Sequence, residues 1–108
     1  MSHVYDRDRL VELFGDDPST LAELEREFLD IARGAEREIR GTDDLQTIGR
    51  AAHRVKGSSG MIGADALSEV AAAVERAAKA QDLPAVRRLD RSFSHEVTKV
   101  ATLMSGRG

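Results

Sequence analysis

The chain has 108 residues, 41% hydrophobic, 32% charged and only 4% aromatic, with nine glycines, two prolines and no cysteine. That is the size of one domain, able to bury roughly two-thirds of its unfolded surface, and zero cysteines exclude disulfides, thiolate zinc sites and cysteine nucleophiles. A net charge of -3 leaves no surplus of Lys and Arg to neutralise phosphate, which argues against a general nucleic-acid or anionic-membrane binder.

Residues 6 to 14 read as a short helix, with Asp6 as its N-cap and Gly15 beyond its end. Asp17 and Pro18 then open a second helix of roughly 24 residues, whose apolar stripe is Leu21, Leu24, Phe28, Ile31 and Ala35 and which runs toward Gly41. After a turn in which Thr42 or Asp43 is the expected cap, Leu45, Ile48, Ala52, Val55, Ser59 and Ile62 step as a third helix. Gly63 separates it from a fourth, carried by Leu67, Val70, Ala71, Val74, Ala77 and Ala78. Asp82, Leu83 and Pro84 mark the last boundary, followed by Val86, Phe93, Val97, Val100 and Met104 and a loose tail from Ser105 to Gly108.

No segment alternates with period 2 over a strand's length. The pattern predicts a single all-α domain over residues 1–108, an antiparallel up-down-up-down four-helix bundle with the short N-terminal helix covering one end. No run of about 18 apolar residues occurs and the N-terminus is charged, so the expectation is a cytoplasmic protein, neither exported nor inserted in a membrane. Charge is uneven: residues 1–48 hold 13 acids and 6 bases, residues 49–108 hold 6 acids and 10 bases.

The third helix carries the chemistry. On a wheel at about 100° per residue with Ile48 at zero, the apolar set lies within about 40° of zero, whereas His53 falls near 140° and faces outward. Around it lie Lys56 near 80°, Gly49 near 100°, Gly60 near 120° and Gly57 near 180°. An interior glycine costs a helix about 1 kcal/mol relative to alanine, so these three have a reason to be there. Bare backbone gives a bulky group, or another protein's active site, access to the ring. Imidazole is a nucleophile that is largely neutral near pH 7, and a lysine one turn away offers charge and donors to anionic oxygens. The combination describes a site that carries a phosphoryl group.

The string His53-Arg54-Val55-Lys56-Gly57-Ser58-Ser59, followed by Gly63-Ala64, Leu67 and Val74-Glu75, resembles the histidine-containing phosphotransfer (HPt) domain family, whose signature is H-x-hydrophobic-K-G-S-S, then G-A, a spaced leucine and a hydrophobic-Glu pair. The similarity extends to Tyr5-Asp6, Leu10, Leu13, Gly15-Asp16, Leu24, Phe28 and Leu29, and so covers nearly the whole chain. Departures are minor: Val55 and Val70 stand where leucine is common, and Ala71 where cysteine often stands.

The resemblance implies a phosphorelay carrier of two-component signalling, a monomer that takes a phosphoryl group from a receiver-domain aspartate or hybrid histidine kinase and passes it to another receiver. His53 would be the phospho-accepting residue, Lys56 would stabilise the phosphoryl oxygens, and Gly57 would leave room for the receiver. Ser58 and Ser59 would serve packing or supporting hydrogen bonds. No cofactor or metal is expected on this chain; the divalent metal, Mg, belongs to the receiver. Receivers in the family dock on an apolar patch beside the histidine, to which Met61 is a candidate contributor.

Competing readings are weaker. HEVTK at 95–99 lacks the second histidine of a zinc motif, and the run from Gly57 to Gly63 lacks the terminal GK[ST] of a phosphate loop and lies on a helix. Arg87, Arg88 and Arg91 read as a solvated face, with receiver steering or a bundle salt bridge as the alternative. Gly63 reads as a helix C-cap. An ATP-dependent kinase is set aside for lack of room for a nucleotide-binding domain. The rival function is a helical adaptor that docks receivers or kinases without being phosphorylated.

Overall fold

The computed structural model describes residues 3–105, and among these it has five helices and no strand. Helix α1 spans Arg7–Phe14, α2 Pro18–Arg40, α3 Leu45–Ile62, α4 Asp65–Lys79 and α5 Leu83–Ser105. The last helix runs through Ser105, where a loose tail was expected; the rest of that tail lies outside the described residues.

Most helix ends are set by the residues the sequence singled out. The Asp6 carboxylate accepts from the Asp8 amide, and Asp17 accepts both the Thr20 amide and the Thr20 hydroxyl. Those two bonds, the hydroxyl first, hold Asp17 below the usual carboxylate range. The third helix departs from expectation: its N-cap is Asp44, not Thr42 or Asp43. Thr42 instead turns back to accept the Asp44 amide, which moves the helix start one residue on.

At the other end of α3, Gly63 takes the left-handed conformation at φ 80, and the Ala64 amide reaches back to the Ser59 carbonyl. This is the C-cap expected of it. The position is crowded as well, since a Cβ on Gly63 would stand 2.8 Å from the Cβ of Asp6. Helix α1 packs here because the Arg9 guanidinium donates to the Gly60 carbonyl at 3.1 Å and to Asp65 at 3.2 Å.

Helix α3 packs on α2 and α4, α4 on α5, and α5 returns to α2, closing a four-helix bundle with α1 against α2 and α3. Gly49 lies opposite Ala78, His53 opposite Glu75 and Gly60 opposite Ser68, so numbers rise on α3 as they fall on α4 and the two run antiparallel. On α2 and α5, Ile39 meets Arg87 and Glu36 meets Ser94, again antiparallel. Between them, Ile48, Ala51, Ala52, Val55, Leu67, Ala71 and Val74 are fully enclosed. Alanines at this seam let the backbones approach closely, and each larger aliphatic side chain buried contributes roughly 1.5–3 kcal/mol.

Two expectations are corrected. The buried row of α2 is Leu21, Glu25, Phe28, Ala32, Ala35 and Ile39, so Ile31 is exposed and a carboxylate joins the core. Glu25 is tolerated there because the Tyr5 hydroxyl donates to it at 2.6 Å and Arg7 stands 3.7 Å away. Arg87 is not part of a solvated face. Its guanidinium donates to the Ile39 and Thr42 carbonyls at the end of α2 and pairs with Asp43 and Asp90, so it realises the bundle salt bridge.

A Gly63→Ala variant combines a left-handed backbone with the Asp6 collision. It should lose about 2 kcal/mol or more of unfolding free energy in urea titrations, while Gly57→Ala should lose nothing of that size.

Candidate functional site

The apolar row of α3 anchors that helix so firmly that the opposite side is free to face solvent. His53 does so, with its side chain 68% exposed. The neighbouring α4 carries Val74 and Ala78 into the core, and Glu75 lies on the edge of the same row with a side chain only 7% exposed. A carboxylate so placed needs donors, since an unpaired buried charge is costly.

Three donors converge on it. Nδ1 of His53 lies 2.8 Å from Glu75 Oε2, Nζ of Lys56 lies 2.7 Å from Oε1, and Nζ of Lys79 lies 3.4 Å from Oε2. The Lys56 hydrogen bond is the main reason that the Glu75 carboxyl is held well below its ordinary value, at about 2; burial opposes this and the His53 bond adds to it. At neutral pH Glu75 is therefore a carboxylate and can only accept. It follows that His53 donates from Nδ1, and in the neutral ring this places the lone pair on Nε2. The contact selects the tautomer and holds the ring plane, as carboxylates do for histidines that act as nucleophiles, bases or ligands.

The glycines around the ring divide into two kinds. A Cβ on Gly57 would meet nothing within 4 Å, so this face of α3 is open backbone. Gly49 and Gly60 instead face α4, where a Cβ would touch Ala78 at 3.5 Å and the Ser68 hydroxyl at 3.7 Å. Both border the seam with α4, Gly49 while also lining the open groove beside His53, so of the three only Gly57 is backbone that nothing faces. Ser59 is enclosed, with no hydrogen-bond partner for its hydroxyl, so it serves packing. Ser58 lines a shallow apolar groove between α1, α2 and α3 together with Phe14, Ile31 and Met61.

Of the residues picked from sequence, the structure brings His53 and Lys56 together through Glu75 and sets Gly57 beside them. Glu75 was quoted only as part of the family signature, without a role, and Lys79 was passed over. The signal was present: an acid beside Val74 and four residues before Lys79 breaks an otherwise apolar row of α4. Among the described residues no three His, Asp or Glu side chains converge on a cation site, and no helix is long and apolar enough to cross a membrane.

Because the folded carboxyl of Glu75 titrates below its ordinary value of 4.5, the unfolded chain binds the proton more readily between that value and about 2. The clamp's stabilisation is thus complete above about 4.5 and lost as pH falls through about 2. Glu75→Gln should cost about 1–3 kcal/mol at pH 7, discounted for the solvent-facing lysines, and the gap from wild type should close in urea titrations between pH 5 and 2.

No curated protein and no solved structure matches the chain. A family model, that of the Hpt domain, matches residues 10–102. An exposed histidine with its tautomer set on a helical bundle and a match over most of the length agree, and the chain belongs to the Hpt domain family, the histidine phosphotransfer modules of two-component systems.

Proposed function

We propose that the protein is a phosphorelay carrier which accepts a phosphoryl group from a receiver-domain aspartate on Nε2 of His53 and passes it to the aspartate of another receiver. The observation that carries this reading is the 2.8 Å contact between His53 Nδ1 and the ionised Glu75 on an otherwise exposed ring. In the transfer, the Nε2 lone pair forms the P–N bond as the P–O bond of the aspartyl phosphate breaks, and the bonding pair leaves with the receiver's carboxylate. No proton has to move: Nδ1 keeps its hydrogen, the ring becomes cationic, and Glu75 faces that new charge. Phosphoryl transfer of this kind depends mainly on positioning and charge stabilisation.

Lys56 adds positive charge beside the ring for the phosphoryl oxygens, and Gly57 gives the receiver its approach. Phe14, Ile31 and Met61, exposed in a groove about two helical turns along α3, fit the apolar patch on which receivers of this family dock. Mg on the receiver supplies the remaining charge neutralisation, and the carrier acts in the cytoplasm with its partners.

Incubation with a phosphorylated receiver or hybrid kinase should label wild type with an acid-labile phosphate and leave His53→Gln unlabelled. Binding without labelling by any receiver encoded in the same genome would instead establish an adaptor. Gly57→Leu should keep the wild-type melting temperature and slow transfer by about tenfold or more, because the reacting atoms are held apart. Transfer at the wild-type rate would remove the access role of that position.

A further inference from the structure

Glu75 serves three donors with two oxygens, and the three are not equivalent. Lys56 has Oε1 at 2.7 Å, whereas Oε2 is divided between His53 at 2.8 Å and Lys79 at 3.4 Å. Lys79 is the longest contact and the most exposed, at 75% against 38% for Lys56. It projects from the last turn of α4 into the open groove that also holds His53, Gly49 and Arg50. Sharing one oxygen keeps its ammonium within about 6 Å of the imidazole Nδ1, a range over which charges still interact appreciably.

Charge balance shows what that arrangement is suited to. One carboxylate, two ammonium groups and a neutral ring leave a surplus of one positive charge. A phosphoryl group on Nε2 makes the ring cationic and brings up to two negative charges, so the surplus is consumed. The same event strengthens the claim of His53 on Oε2 and repels the second cation from it. Lys56, alone on Oε1, has no such reason to leave.

We infer that Lys79 is a phosphoryl-holding residue, which leaves Glu75 Oε2 to donate to the phosphoryl oxygens once Nε2 is modified, while Lys56 remains on Oε1 and acts on those oxygens through its charge alone. The inference rests on the reading of His53 as the acceptor and adds a residue to it. The other carboxylates at the groove are engaged elsewhere, Asp43 with Arg87 and Asp44 with the Thr47 hydroxyl, so they do not hold Lys79 back.

The test loads His53 chemically with phosphoramidate and follows the second ionisation of the phosphoryl group by ³¹P NMR in wild type, Lys79→Gln, Lys79→Arg and Arg50→Gln. A cation bonded to the oxygens favours the dianion, so Lys79→Gln should raise the midpoint by about 0.3–1 pH unit. Lys79→Arg should restore it, and Arg50→Gln, which alters only the general field of the groove, should move it less. An unchanged midpoint in Lys79→Gln, an equal shift in Arg50→Gln, or failure of phosphoramidate to modify wild-type His53 would each overturn the inference. Loaded wild type that passes its phosphoryl to no receiver would sink the carrier reading and leave the Lys79 result legible.

Discussion

A carboxylate set into the seam of two helices has to be answered by positive charge or by protonation, and in this bundle it is answered by charge. Glu75 lies where α4 packs on α3, and its two oxygens gather Lys56 and His53 from one helix and Lys79 from its own. The pairing ties the register of α3 and α4 to the state of the imidazole: a slip of one residue on either helix would move the acid off the ring. Structural and chemical requirements are met by the same three contacts.

The helix that bears His53 divides its duties by face. Ile48, Ala51, Ala52 and Val55 are fully enclosed and hold α3 against its neighbours, while Gly57 leaves the outward face bare one turn beyond His53. Both ends are held as well, by the Thr47 hydroxyl on Asp44 at the start and by Gly63 with the Arg9 contact at the finish. On the proposed reading of His53 as the acceptor, a ring mounted on a helix restrained along its whole length loses little orientational freedom when a partner arrives, which is where positioning gains its effect.

Much of this was legible in the sequence. Helical period placed all five elements, and Asp6, Asp17, Gly63 and Asp82 announced boundaries that the structure keeps. His53 was found because a wheel needs only one helix to separate inside from outside. The role of Glu75, quoted only as a signature residue, was missed because its partners lie across a helix seam, and one-helix periodicity says nothing about which turn of α4 faces which turn of α3. The same blindness hid the α4 neighbours of Gly49 and Gly60 and assigned Arg87 to a solvated face, since α4 and the end of α2 were needed to see what each one meets. On α2 the apolar letters favoured Ile31, but the geometry turned Glu25 and Ala32 inward, and Tyr5 and Arg7, remote in sequence, help to make that acceptable.

The lone exposed ring on one face of α3 has a kinetic corollary. If His53 carries the phosphoryl group as proposed, two partners that each need Nε2 cannot occupy it together, and donor and acceptor would take turns in a ping-pong exchange. Throughput is then bounded by how fast a spent partner leaves as well as by the chemical step. A small, shallow contact surface with a short residence time is an advantage under that constraint, and the modest apolar groove of Phe14, Ile31 and Met61 is of that character.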